Sequence, residues 1–303
     1  MATGKSRFAV LVKPGDKQPA IERAAQYAKF APDIGVVAIR IINDFTEDTR
    51  EQKRIQAESH LDRLKREYPA IKNFEKKIIF NKNVADSFVA ECNQKGVYDL
   101  AIISANKRNT LKDLFISTID STIMRSISIP LLVVKDALST VSLGTAIVVA
   151  IDFQESEHMV ELDEYLFNAA KQFAEKFNGE VHVVNCVCPV NRGRNVRETV
   201  GISKMAGVGI SSRFDVHEKV VNEFAQKHEV PQERVHVLKG RLDEEIPRLC
   251  EVLQARMVCM GTTPHSSFFG SMDSIASELV LEQIKGDVFI VNSAHLDDSK
   301  DKE

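Results

Sequence analysis

Met257–Met260 is a short run that is apolar on both faces, and Gly261 follows it directly. The residues after Gly261 carry a cluster of hydroxyls: Thr262, Thr263, Ser266 and Ser267. Beyond them, Ala276, Leu279, Val280 and Ile284 recur at the spacing of one helical face. A second apolar run, Val288–Val291, closes the stretch. This reads as a buried strand, a small-residue turn opening on Gly261, a helix and another buried strand. In open α/β sheets such a turn is where anions bind, because the backbone N–H groups at a helix N-terminus point at the ligand.

Other residues with chemical potential are scattered. Five cysteines, Cys92, Cys186, Cys188, Cys250 and Cys259, show no metal-ligand spacing and fit a reducing cytoplasm. His182 and His236 fall on different expected strands, and nothing nearby in the sequence completes a metal site. No Ser/His/Asp or Cys/His set is assembled by local spacing, so the sequence supplies no catalytic residues and no metal ligands.

The elements that would position the Gly261 turn form two similar series. In the first, strands are expected at Phe8–Val12, Val36–Ile42, Phe74–Phe80, Leu100–Ser104 and Pro130–Val134. Helices fall between them at Ala20–Phe30, Asp48–Glu67, Ala85–Lys95 and Leu111–Ile127. The second long helix has only Ile55, Leu61 and Leu64 as apolar positions. Residues 138–144 read as a linker. The series then repeats, with strands at Thr145–Ile151, Glu180–Val187 and Arg234–Leu238 and helices at Val160–Phe177, Phe214–Lys227 and Asp243–Leu253. Superposing Asp99–Ser104 on Arg256–Gly261 also lays Pro130–Val134 on Asp287–Val291 without a gap.

Alternating strands and helices of this kind imply parallel sheets covered on both faces. The fold class is therefore α/β: two tandem five-stranded, Rossmann-like parallel-sheet domains. Residues 1–137 form the first, 145–294 the second, and 295–303 a charged, disordered tail. Residues 189–213 break the repeat with four glycines and five basic residues against one acid. Apolar residues there alternate with Arg192, Arg194, Arg197 and Lys204, which suits a lid over an amphipathic ligand.

The net charge of −3 gives no electrostatic case for nucleic acid or a membrane surface as partner. The apolar run near the N-terminus, Phe8–Val12, is too short for a signal-peptide core, and no run reaches membrane-span length.

The Met-Gly pair at 260–261, with Ala276, Glu278 and Val280 preceding the last strand, resembles the final third of universal stress protein domains. The whole chain resembles the tandem, two-domain form of that family. Two stretches, LKDLFISTIDSTIMRSISIPLLVVKD and ERVHVLKGRLDEEIPRLCEVLQARMVCMGT, carry the likeness best. The resemblance implies a cytoplasmic stress-response protein that resists agents such as those damaging DNA, by ligand sensing or protein binding rather than catalysis. In members that bind ATP, the turn's glycine-rich backbone cradles the phosphates, an Asp ending the first strand meets the ribose, and the Met lies near the adenine.

Carried onto this chain, the pocket residues are Asp152, Met260, Gly261, Thr262, Pro264 and Ser274. Pro264 and Ser274 stand where the family has glycines, and Ile275 where it has a hydroxyl; a register shorter by four residues would use Gly270-Ser271 instead. Pro264 lacks an N–H to donate, which weakens the cradle. ATP in the second domain, with slow hydrolysis, is one alternative function. A lipid or other hydrophobic ligand under the 189–213 loop is another. In the first domain Lys13 takes the Asp position, which reads as a domain that has lost its ligand. Family members commonly pair through their last strands. Leu131–Val134 and Val288–Val291 are therefore expected to pair within the chain as an internal pseudo-dimer, with unknown proteins or a second copy as further partners.

Overall fold

The computed structural model describes residues 6–105, 118–135, 144–152, 157–187, 210–262, 280, 282–293 and 295–296. The chain divides into two compact units, Met1–Ser139 and Thr140–Glu303.

The first unit builds β1 (Arg7–Val12), α1 (Pro19–Phe30), β2 (Gly35–Ile42), α2 (Glu47–Glu67), β3 (Asn73–Phe80), α3 (Val84–Cys92), β4 (Leu100–Ser104), α4 (Thr118–Ser126) and β5 (Leu131–Val134). Its strands run in the order β3-β2-β1-β4-β5, every neighbouring pair parallel. Every residue of β4 and β5 is buried. Strands with helices on both sides bury both faces, which is why they read as unbroken apolar runs.

Local chemistry explains the helix ends. Pro19 opens α1 at a position where its missing N–H costs nothing. Thr46 and Thr49 form a reciprocal capping box at the start of α2. The Asn83 side chain accepts from the Asp86 N–H to cap α3. On α2 the inward residues are Ala57, Leu61 and Leu64, whereas Ile55 faces solvent. Nearly all of that helix surface is charged, so one isoleucine placed off the narrow stripe has nothing to pack against.

The second unit builds β6 (Ala146–Ala150), α5 (Glu157–Phe177), β7 (Glu180–Val187), α6 (Ile210–Lys227), β8 (Val235–Lys239), α7 (Leu242–Leu253), β9 (Met257–Thr262) and β10 (Asp287–Asn292). Its order is β10-β9-β6-β7-β8, again with every neighbouring pair parallel. Gly261 and Thr262 extend β9, where they pair with Val291 and Asn292 of β10. The strand thus runs two residues further than the apolar pattern alone suggests. The 189–213 loop, Pro264, Ser274 and the 295–303 tail beyond Leu296 lie outside the described residues. No helix among the described residues is long and apolar enough to cross a membrane.

Candidate functional site

In each unit the chain winds outward from a first strand and then returns to its other side. The reversal falls between β1 and β4 in the first unit and between β6 and β9 in the second. Ligands of open α/β sheets bind in the crevice at the carboxyl ends of such strands. The two crevices are built from different chemistry.

In the first unit, Lys13 follows β1 and its ammonium donates to the carbonyl of Ser104 at the end of β4. Burial holds the Lys13 ammonium below the usual lysine range, with the buried Asp120 of α4 pulling the other way. Gln18, itself 1 % exposed, donates to the carbonyls of Lys13 and Gly15, both at 2.8 Å, and accepts from the Lys13 N–H at 3.2 Å. The Ser104 hydroxyl accepts from the Ala20 N–H at the start of α1, at 3.0 Å. A helix N-terminus and a strand end that could serve an anion are thus occupied by the unit's own side chains.

In the second unit the strand ends carry Asp152 after β6 and Met260, Gly261 and Thr262 on β9. β6 pairs β9 as Ile147 with Met257 and Val149 with Cys259. Asp152 lies two residues past the end of β6, and Thr262 is the last residue of the neighbouring β9. Asp152 is exposed, and its backbone is pinned. Its N–H donates to Oδ1 of the buried Asp163 at 3.4 Å. The preceding carbonyl, of Ile151, accepts from Asn185 Nδ2 at 2.7 Å, and Asn185 Oδ1 meets His217 Nδ1 at 3.0 Å. A buried polar chain from α6 and α5 therefore fixes the backbone that presents the Asp152 carboxylate.

Gly261 is set by packing. A Cβ at this position would lie 2.6 Å from Leu162 Cδ2 and 3.5 Å from Leu166 Cδ1. Its lack of a side chain lets α5 settle directly onto β9. Met260 is 3 % exposed and sits in the core. Thr262 is 5 % exposed, and its hydroxyl has no hydrogen-bond partner among the described residues. Buried hydroxyls are rarely left so, because desolvating one without a partner costs about 1–3 kcal/mol.

The structure thus brings Asp152, Met260, Gly261 and Thr262 to one end of one sheet; Pro264 and Ser274 fall outside the described residues. Sequence reading missed Asp163, Asn185 and His217, the polar chain behind Asp152. Their signal was present as polar residues, Asp163 and Asn185, within otherwise apolar helical and strand patterns.

Comparison with known proteins agrees with this architecture. Residues 145–292 match the model of the universal stress protein family. The second unit thus matches a universal stress protein domain. It is 25% identical over 227 residues to the universal stress protein E homolog of Haemophilus influenzae, covering 73% of this chain and 70% of that one. It is 24% identical over 237 residues to universal stress protein E of Escherichia coli K12, covering 74% and 72%. A crystal structure of a putative universal stress protein from Pseudomonas aeruginosa UCBPP-PA14 superposes with a TM-score of 0.68 at 16% identity, over 98% of each chain. That likeness concerns the fold. Likeness to the universal stress protein family supports a role in the stress response.

The Asp152 carboxylate stands just past the carboxyl end of β6. The Thr262 hydroxyl is buried without a partner among the described residues.

Proposed function

We propose that this universal stress protein works by ligand sensing through its second unit, with the first unit as a structural partner whose own crevice is closed. The ligand class is an adenine nucleotide, with Asp152 holding the ribose and Thr262 donating or accepting one hydrogen bond. Sensing in this reading is coupled to protein binding rather than to catalysis. A cytoplasmic location and survival of DNA-damaging agents go with it.

The observation that carries the proposal is the contrast between the two crevices. Lys13, Gln18 and Ser104 saturate one with internal hydrogen bonds. The other presents an exposed Asp152 on a pinned backbone, and at the end of the neighbouring strand a hydroxyl without a partner among the described residues.

Isothermal titration of the full chain with Mg-ATP tests it. The expected result is one site per chain, tighter than about 1 mM, which corresponds to about −4 kcal/mol. Asp152→Ala is expected to abolish the heat. Binding weaker than that limit, or binding that survives Asp152→Ala, overturns the assignment. Steady phosphate release that Asp152→Ala abolishes would replace sensing by a hydrolytic switch.

A further inference from the structure

His182 of β7 and His236 of β8 face each other, with Nδ1 of the first 3.1 Å from Nε2 of the second. The ring planes are only 16° apart and the centroids 5.4 Å. That centroid distance is about the 3.1 Å contact plus the two ring radii, so the rings meet end to end, close to coplanar. This is an in-plane imidazole–imidazole hydrogen bond. A chelated metal ion would need both lone pairs aimed at a third point, and here they are aimed at each other.

The pair replaces a different device in the first unit. β2 and β7 have the same length, and Ile39, the fifth residue of β2, pairs with Lys77 as Val184, the fifth of β7, pairs with His236. Lys77 donates to Glu91 of α3 at 2.6 Å, and Tyr98 donates to the same carboxylate oxygen at 2.6 Å. On α7, aligning the buried Cys250 with the buried Cys92 puts Leu249 in the place of Glu91. Among the described residues no carboxylate is bonded to His236, and it is joined to His182, where the first unit has Val37.

The surroundings are poor in charge. Side chains alternate along β7, so His182, Val184 and Cys186 share one face and Asn185 lies on the other, where it meets His217 of α6. The right-handed return from β8 to β9 places α7 on the histidine face. α7 turns Ile246, Pro247 and Cys250 inward, and burial pushes the Cys250 thiol up to about 12. Its acids Asp243 and Glu245 are paired with Arg241 and Arg248. Beside His182 stand Arg234 and Glu180, bound to each other at 2.5 Å, and β6 contributes no titratable group. Burial, then the neighbouring His236 and Arg234, hold His182 below the usual histidine range; burial alone does the same to His236.

We propose that His182 and His236 act as one proton-sharing latch that fastens β8, the last strand in the unit's order, to β7 and opens in acid. When both rings are neutral, one N–H lies between them. One added proton goes to the outer nitrogen of the donating ring and leaves the contact in place as a charge-assisted bond. A second proton sets two N–H groups head to head between two cations, and the contact breaks. The latch is closed at neutral pH, and strand β8 is its moving part.

Amide hydrogen exchange on the full chain, with histidine ring titration by NMR, tests this. The expected titration is that of a coupled pair, with two well-separated steps below the ordinary histidine value. Protection of the Val235–Lys239 amides, relative to those of Met257–Thr262, is expected to fall at least about tenfold between about pH 7.5 and about pH 5. His236→Gln, which keeps a polar group but cannot titrate, is expected to remove that pH dependence. Independent titration of the two rings overturns the proposal. So does relative β8 protection that stays constant over the same range in the unmodified chain, whether or not the variant folds.

Discussion

The ammonium of Lys13 donates to the backbone carbonyl of Ser104, a residue 91 positions away in the sequence. This bond ties the neighbouring strands β1 and β4 together at their carboxyl ends. Lys13→Met keeps most of the apolar stem of the side chain and removes the donor. It is expected to destabilise the first unit by about 1–3 kcal/mol, because the Ser104 carbonyl loses a charged partner. Lys13→Asp is expected to cost more, since the new carboxylate comes under the influence of the buried Asp120. Exchange of the Phe8–Val12 and Leu100–Ser104 amides across a urea series measures both. Equal stability of the two variants would show that Asp120 does not act on this position.

A second prediction concerns Gly261. Leu162 would sit 2.6 Å from a Cβ there, so Gly261→Ala forces either α5 or the leucine side chain to move. The expected cost is about 1–3 kcal/mol. Leu162→Ala opens a cavity on its own but makes room for the new methyl. The double variant is therefore expected to be more stable than the two single costs imply, by more than about 0.5 kcal/mol. Urea midpoints for the four proteins decide it, and strict additivity would mean that Leu162 is not the obstacle.

Much of the fold was legible in the sequence because inner strands such as β4 and β5 are buried on both faces and read as apolar runs. The alternation of strand and helix then fixed a parallel α/β architecture. Gly261 shows where reading by pattern stops. Its place after an apolar run suggested a turn, whereas it continues β9 and makes room for Leu162, a residue far away in the chain. The same limit hid the His182–His236 pair. Each histidine was visible, but their meeting depends on the register of β7 against β8, which local spacing does not encode. Lys13 was legible as a departure from the family's Asp, and its bond to the Ser104 carbonyl was not.

Glu91 gives a prediction about acid. Its carboxylate is desolvated, which alone would raise its pKa. The bonds from Lys77, Tyr98 and Gln94 outweigh this and hold it below the usual range. A carboxylate depressed in the folded state contributes stability that is fully present above its unfolded value, about 4.3, and is lost as pH falls through the lower folded value. Glu91→Gln keeps the shape without the charge. It is expected to cost about 1–3 kcal/mol at neutral pH and to flatten the loss of stability between about pH 5 and about pH 3. Urea midpoints for the first unit across that range are the measurement. An acid limb as steep in the variant as in the unmodified chain would assign the acid sensitivity to another carboxylate.

Thr262 separates stability from binding. Its hydroxyl is buried at the end of β9 without a partner among the described residues. Valine has nearly the same shape and suits a strand. Thr262→Val is therefore expected to leave stability unchanged or raise it by about 1 kcal/mol, since an unsatisfied polar group leaves the interior. If the hydroxyl is a ligand group, the same change weakens Mg-ATP binding by about tenfold, the equivalent of one hydrogen bond of about 1.4 kcal/mol. A purely structural threonine would move both quantities the same way, or neither. Higher stability together with weaker binding is the outcome that ties this hydroxyl to the crevice, and it is read from one thermal melt and one titration of the same protein.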